Sequence, residues 1–141
     1  MTLEVTGASR ILVGGGVANV VLSFLLGWVL SAKRVKEPMD KHRWLLVAHE
    51  VSLQEGLLLL GLAVAVPYAR LSPGAAEVGA WLLVVASAFQ DASGIANWLR
   101  RIDDQFAAKS AGWVLATINA IVNSVGLGIV AYGVACGLAA G

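Results

Sequence analysis

The sequence has few charged residues, one cysteine and two histidines. Of its 141 residues 13% are charged and 58% are hydrophobic, whereas about a quarter of a soluble globular domain is charged. So few charged residues cannot form the surface of a soluble protein in which more than half of the residues are hydrophobic. The single cysteine, Cys136, excludes an internal disulfide and a zinc site built from cysteines. A net charge of +1 gives no reason to expect a nucleic-acid partner.

The sequence does contain four apolar stretches, each long enough to cross a bilayer as a helix, which takes about 20 residues. They cover residues 11–32, 44–68, 73–99 and 110–140. Leucine, alanine and glycine dominate them without period-two alternation, which favours helices over barrel strands. These features predict an all-α, oligomeric, integral membrane four-helix bundle, with a single transmembrane domain over residues 1–141. Because Glu4 and no basic residue precedes Arg10, we expect no cleavable signal peptide.

Basic residues are unevenly distributed between the loops. Eight of the ten lie in the loops after the first and third spans, and only Arg10 and Arg70 lie on the other side. Because lysine and arginine collect in cytoplasmic loops, both basic loops are predicted to be cytoplasmic and both termini non-cytoplasmic. We therefore expect an integral protein of the bacterial inner membrane.

Several polar side chains lie within the spans. A charged group at bilayer depth costs roughly 2.5–3.5 kcal/mol on insertion scales, so His49, Glu55 and Asp91 are candidates for function. Glu50 is open to two interpretations, as a site residue or as a partner of the arginines that follow the third span. Amides and hydroxyls of the first and last spans are interpreted as interhelical hydrogen-bonding residues: Asn19, Ser23, Asn119 and Asn123.

The spans contain one histidine and several carboxyl groups, which limits the metal centres and the acid–base reactions that they can support. The set lacks the ligands of a zinc or copper centre, whereas a single axial imidazole suffices to hold haem iron. A carboxyl group buried at Glu55 or Asp91 favours its neutral form and can then donate a proton, as in a haem-free isomerase or cyclase. Both routes activate an apolar substrate from the bilayer. A third alternative is a small transporter or cofactor-binding subunit without enzymatic activity.

The second and third spans resemble those of the styrene oxide isomerase family. The second span has Ala48-His49, then Glu55-Gly56, then an apolar stretch that closes at Pro67. The family has Ala-His, Asn-Gly and a proline at the same spacing. The third span adds Asp91 in an apolar setting before small and amide residues. The resemblance covers residues 44–99, and the other two spans are similar only in general character.

This resemblance implies a homotrimeric membrane isomerase that uses ferric haem b to rearrange an apolar epoxide to a carbonyl compound. It implies His49 as the axial iron ligand and Gly56 as a cofactor-binding residue. It also implies Asp91 and Glu55 as catalytic candidates, with Glu55 in place of the family's asparagine. Asn97 lies in the stretch where the family has a tyrosine and is the third catalytic candidate. The implied partners are a hydrophobic epoxide, membrane lipid and further copies of the chain.

Overall fold

The computed structural model describes residues 6–140, which contain helices and turns but no strand. The expectation about a signal peptide depends on Glu4, outside these residues. Four of the helices are long and apolar enough to cross a membrane, so the all-α, four-helix prediction is confirmed. The α-helices are α1, Gly7–Arg34; α2, Arg43–Ala65; α3, Pro73–Leu99; α4, Gln105–Ala108; and α5, Ala111–Ala139. Two 3₁₀ turns flank α2, at Met39–His42 and Val66–Tyr68.

Side-chain caps determine where three of the long helices begin. Thr6 accepts a hydrogen bond from a backbone N–H of the first turn of α1, which therefore starts about one turn before the predicted position. Ser72 and Ser110 cap α3 and α5 in the same way. The first helix also extends beyond its predicted end, because Lys33 and Arg34 in its last turn interact favourably with the helix dipole.

The helices α1, α2 and α3 all pack against one another, whereas α5 packs chiefly against α3. One apolar cluster, with Leu12, Leu59 and Leu83 at its centre, lies nearer the chain's N-terminus. A second cluster includes Leu26 and Leu45 and lies nearer the loop between α1 and α2. The polar side chains of the spans occupy the sequence positions between these two clusters. The fold therefore holds a polar layer between two apolar ones.

Glycines allow the first three helices to approach closely. Gly16 and Gly56 face each other where α1 crosses α2, and a Cβ added to Gly56 would lie 3.0 Å from the carbonyl oxygen of Gly16. Gly94 faces Ala48 where α3 crosses α2, with 2.9 Å between an added Cβ and the Cβ of Ala48. Small residues at such crossings let transmembrane helices pack backbone to backbone. Gly56, predicted to bind a cofactor, therefore lies against α1.

Alanine at position 56 is expected to destabilise the protein, whereas alanine at position 61 is not. The new Cβ of Gly56→Ala would lie within 3.1 Å of backbone atoms of Gly16 and Val20, and overpacking typically costs about 1–3 kcal/mol. Among residues 6–140, apart from the neighbouring backbone of α2 itself, no atom lies within 4 Å of a Cβ added at Gly61, and alanine is the better helix former by about 1 kcal/mol. Thermal unfolding of both variants in one detergent provides the measurement. Equal melting temperatures would contradict the close crossing of α1 and α2.

The two basic loops lie at the same end of the bundle and contact each other. Trp44, at the start of α2, donates its indole N–H to the carbonyl oxygen of Ile102 at 2.5 Å. Trp98, at the end of α3, donates its indole N–H to Nδ1 of His42 at 3.3 Å. Residues 33–44 and 97–109 are termed the basic end below. Its formation by both loops agrees with an up-and-down arrangement of the four long helices.

Candidate functional site

His49 lies in the second turn of α2 with its ring against α1. The ring covers Gly27, where an added Cβ would lie 3.1 Å from Cε1. Its Nδ1 is 2.8 Å from the backbone carbonyl oxygen of Ser23. A carbonyl oxygen only accepts, so Nδ1 carries the proton and donates it. The hydroxyl of Ser23 donates in turn to the backbone carbonyl oxygen of His49 at 2.8 Å. Ser23, Gly27 and His49 are termed the imidazole cluster.

This geometry leaves the other ring nitrogen of His49, Nε2, with a free lone pair. No donor among residues 6–140 reaches Nε2, and these residues do not enclose it. Histidines that ligate metals commonly bind a backbone carbonyl or carboxylate through the second ring N–H, which fixes the tautomer and the ring orientation. The imidazole cluster therefore has the form of a site that supplies one protein ligand to a metal.

The residues around His49 indicate which kind of metal cofactor a single imidazole ligand can hold. Within residues 6–140 no three His, Cys, Asp or Glu side chains lie close enough to hold a metal ion. A porphyrin supplies four ligands itself, so haem iron needs one imidazole and an apolar surface. Phe24 and Trp28, next to Ser23 and Gly27 in the chain, and Leu53, one turn after His49, all expose their side chains. The residues present fit haem.

A second polar group, termed the carboxyl cluster, lies between α2 and α3 and consists of Ser52, Glu55 and Asp91. The hydroxyl of Ser52, which is fully buried, donates to Asp91 Oδ1 at 2.5 Å. Asp91 is 6% exposed, yet its Oδ2 accepts no hydrogen bond from the described residues and is not enclosed by them. Glu55 is half-buried and lies one turn after Ser52 on the same helix. The cluster can hold a proton or orient a polar atom of a substrate.

The hydrogen bonds connect His49 with α1, and they connect Ser52, one turn before Glu55, with Asp91 of α3. His49 and Glu55 are separated on α2 by about 9 Å along the axis and about 120° around it. His49 contacts α1, whereas Glu55 lies one turn after Ser52, which binds Asp91 of α3. Within one copy of the chain, His49 and Glu55 therefore lie on different flanks of α2.

Asn97, the third catalytic candidate, lies at the basic end rather than with either cluster. Its Nδ2 donates to Gln105 Oε1 at 2.8 Å, and its Oδ1 accepts from the hydroxyl of Ser110 at 2.7 Å. The side chain is fully buried, and Gly112 of α5 packs against it. These contacts hold the connection between α3 and α5 in place.

Two other amides of the spans connect neighbouring helices. Asn19 of α1 donates to the hydroxyl of Ser87 of α3 at 3.0 Å. Asn119 of α5 donates to Gln90 Oε1 of α3 at 2.8 Å. Both bonds match the sequence-based interpretation of these amides as interhelical hydrogen-bonding residues.

Ser23, Gly27 and Ser52 belong to the two clusters but are not among the predicted site residues. The sequence carries a signal for Ser52, since it follows His49 by three positions and shares its helix face. Ser23 and Gly27 are one turn apart on α1, a spacing typical of any packing surface. Which turn of α1 meets His49 depends on how the two helices cross, and no local pattern gives that.

Two polar side chains at the depth of the clusters face away from the bundle. Glu50 and Gln54, one turn apart on α2, are both exposed. Within residues 6–140 Glu50 forms no ion pair, so the structure does not support its interpretation as a partner of the arginines after α3. A carboxyl and an amide exposed at bilayer depth need polar partners from outside the single chain.

The two clusters together supply one open metal ligand and one pair of carboxyl groups. Both lie on helices that are long and apolar enough to cross a membrane. The function is therefore inferred from the chemistry of these side chains. Comparison of the chain with protein-family models, curated proteins and solved structures finds no match.

Proposed function

We propose that this chain is a membrane-embedded isomerase that converts an apolar epoxide to a carbonyl compound, with haem b held by His49. The observation that carries the proposal is the bond from Nδ1 of His49 to the Ser23 carbonyl oxygen at 2.8 Å, because it leaves Nε2 free to ligate iron. The apolar helices would also keep the reaction dry, and dryness matters because water opens an epoxide to a diol.

The proposed reaction is a rearrangement in which the substrate neither gains nor loses atoms. Opening the ring develops negative charge on oxygen and positive charge on the carbon whose C–O bond breaks. Haem, when bound, supplies a Lewis acid for the oxygen. A hydride moves to the electron-poor carbon from the carbon that keeps the oxygen, and the carbonyl forms there. No second substrate is needed.

The carboxyl cluster has a defined part in this proposal. Ser52 binds Oδ1 of Asp91, which fixes the carboxyl group and leaves Oδ2 available to a substrate. A fixed carboxyl group stabilises the positive charge that develops on carbon without the reorganisation that water would require. Glu55 lies one turn after Ser52 on α2 and can hold or deliver a proton.

We also propose the homotrimer that the family resemblance implies, with the basic end in the cytoplasm of the bacterial inner membrane and both termini on the other side. The exposed Glu50 and Gln54 support an oligomer, because a neighbouring copy would shield this polar face of α2 from lipid. A neighbouring copy also offers a way to bring the carboxyl cluster near His49, which one chain alone does not do.

The test uses detergent-purified protein prepared with excess haem and, separately, from haem-depleted cells. We expect a Soret band in the haem-loaded protein and a mass of three chains by native mass spectrometry. A hydrophobic epoxide should give an aldehyde or ketone without diol, and only when haem is present. Protein that shows no Soret band despite excess haem would refute the proposal.

A haem-free acid mechanism is the second candidate, favoured by the buried pair of Ser52 and Asp91. In that mechanism Asp91 or Glu55 protonates the epoxide oxygen directly. It predicts full turnover in the protein from haem-depleted cells. Turnover that appears only when haem is added decides against it.

A further inference from the structure

A cavity of about 650 Å³ opens at the basic end of the bundle. The 3₁₀ turn before α2 and the first residues of α2 line one side, and the end of α3 with the loop after it lines the other. His42 lines this cavity and is only 5% exposed. The proposed isomerase chemistry uses neither the cavity nor His42.

The hydrogen bonds of His42 show which nitrogen carries its proton. An indole N–H only donates, so Nδ1 of His42 accepts from Trp98 and Nε2 carries the hydrogen of the neutral ring. That N–H has no hydrogen-bond partner among residues 6–140. The carboxylate of Glu37 lies 3.4 Å from Nε2, close enough to pair with a protonated ring but without the geometry of a hydrogen bond, so a ligand must displace it to reach Nε2. A buried N–H without a partner is unfavourable and needs an acceptor.

Basic side chains outnumber acidic ones in the lining of the cavity. Four basic side chains line the same cavity, against three acidic ones, of which Glu37 is directed at His42. A ligand that satisfies Nε2–H and the basic groups together must carry negatively charged acceptor oxygens. The basic side chains are Lys33, Lys41, Arg43 and Arg101.

We propose that this cavity binds a phosphate group, with His42 Nε2–H as a buried donor and the basic side chains around it. A phosphate offers several charged acceptor oxygens to donors that converge from different elements. The position favours a phospholipid headgroup as its source, because the cavity opens where the apolar helices end and is flanked by Trp44 and Trp98. The proposal does not depend on the isomerase function.

The experiment measures binding to the full chain in detergent through its tryptophan fluorescence, since Trp44 and Trp98 line the cavity. The probes are dihexanoyl phosphatidylglycerol, dihexanoylglycerol, which lacks the phosphate, and inorganic phosphate. We expect saturable binding of the phospholipid and none of dihexanoylglycerol. Binding of inorganic phosphate with equal affinity would support the site while identifying a soluble phosphate compound as its ligand.

Variants locate the binding within the cavity. His42→Phe and Arg43→Gln should each weaken binding about tenfold or more, the typical effect of losing one charge-assisted bond. Arg43 is exposed, so its variant keeps the test valid where His42→Phe does not fold. Glu37→Gln should tighten binding, because it removes the carboxylate that competes for Nε2–H.

Lys36→Gln is the matched control, an exposed basic residue of the same loop that does not line the cavity. It should leave the affinity unchanged. The proposal is overturned when neither phosphate probe binds, when dihexanoylglycerol binds equally well, or when Lys36→Gln weakens binding as much as Arg43→Gln.

Discussion

Replacement of His49 by glycine is expected to abolish the Soret band, and free imidazole is expected to restore it. The ring is held by Ser23 and packs against Gly27, so its removal leaves an imidazole-sized gap beside α1. Imidazole from solution can enter that gap and ligate iron. Glycine in a helix costs about 1 kcal/mol, which the fold should tolerate. Absorption spectra with and without imidazole provide the measurement.

Two further variants separate ligation from general damage to the fold. Ser23→Ala keeps the backbone carbonyl that binds Nδ1 but removes the hydroxyl beside it. We expect it to retain the Soret band and to release haem more readily, by at most the 10- to 100-fold typical of lost outer-shell bonds. Ser124→Ala, whose hydroxyl binds only a carbonyl of its own helix, should behave as the unchanged protein.

His42, the other histidine of the chain, is the control for His49. His42 is already bound by Trp98 and lies at the basic end, so its removal should leave the Soret band intact. A Soret band that survives in His49→Gly without imidazole, or disappears only when His42 is replaced, would show that the iron ligand is misassigned. Circular dichroism of each variant establishes that the helices are retained.

The spans could be predicted from the sequence because their length and hydropathy are properties of single segments. The start of the first helix differs by about one turn, where Thr6 caps it, and its end differs by two residues, where Lys33 and Arg34 extend it. The arrangement of the helices could not be predicted in this way. The packing of α5 chiefly on α3 depends on contacts between segments that no local pattern encodes.

In the candidate site, too, the sequence predicts which residues matter but not which of them lie together. Residue type and depth single out His49, Glu55 and Asp91, because ionisable groups in a span are rarely without a partner or a role. Their grouping depends on neighbours from other helices, since His49 binds α1 and Asp91 of α3 binds Ser52 of α2. Asn97 is hydrogen-bonded to Gln105 and Ser110, which lie beyond the end of α3. The sequence of the third span alone could not predict these bonds.

Replacement of Asp91 by asparagine is expected to lower epoxide turnover about 100-fold or more, the usual contribution of a positioned acid or base group. Asparagine has nearly the same shape and can still accept the hydrogen bond from Ser52, so the packing of α2 on α3 should persist. The substitution removes only the capacity of the group to carry charge or a proton. Turnover of the haem-loaded variant, with its Soret band as a measure of occupancy, gives the result.

Ser93→Ala is the matched control for Asp91→Asn, because Ser93 lies on the same helix and binds the Gly112 carbonyl oxygen of α5 on a different face. It should reduce thermal stability without changing turnover per bound haem. Ser52→Ala should have a smaller effect than Asp91→Asn, since it loosens the carboxyl group but leaves it in place. If Asp91→Asn turns over epoxide as fast as the unchanged protein, the Ser52–Asp91 bond serves helix packing alone, and the chemistry belongs to the surroundings of His49.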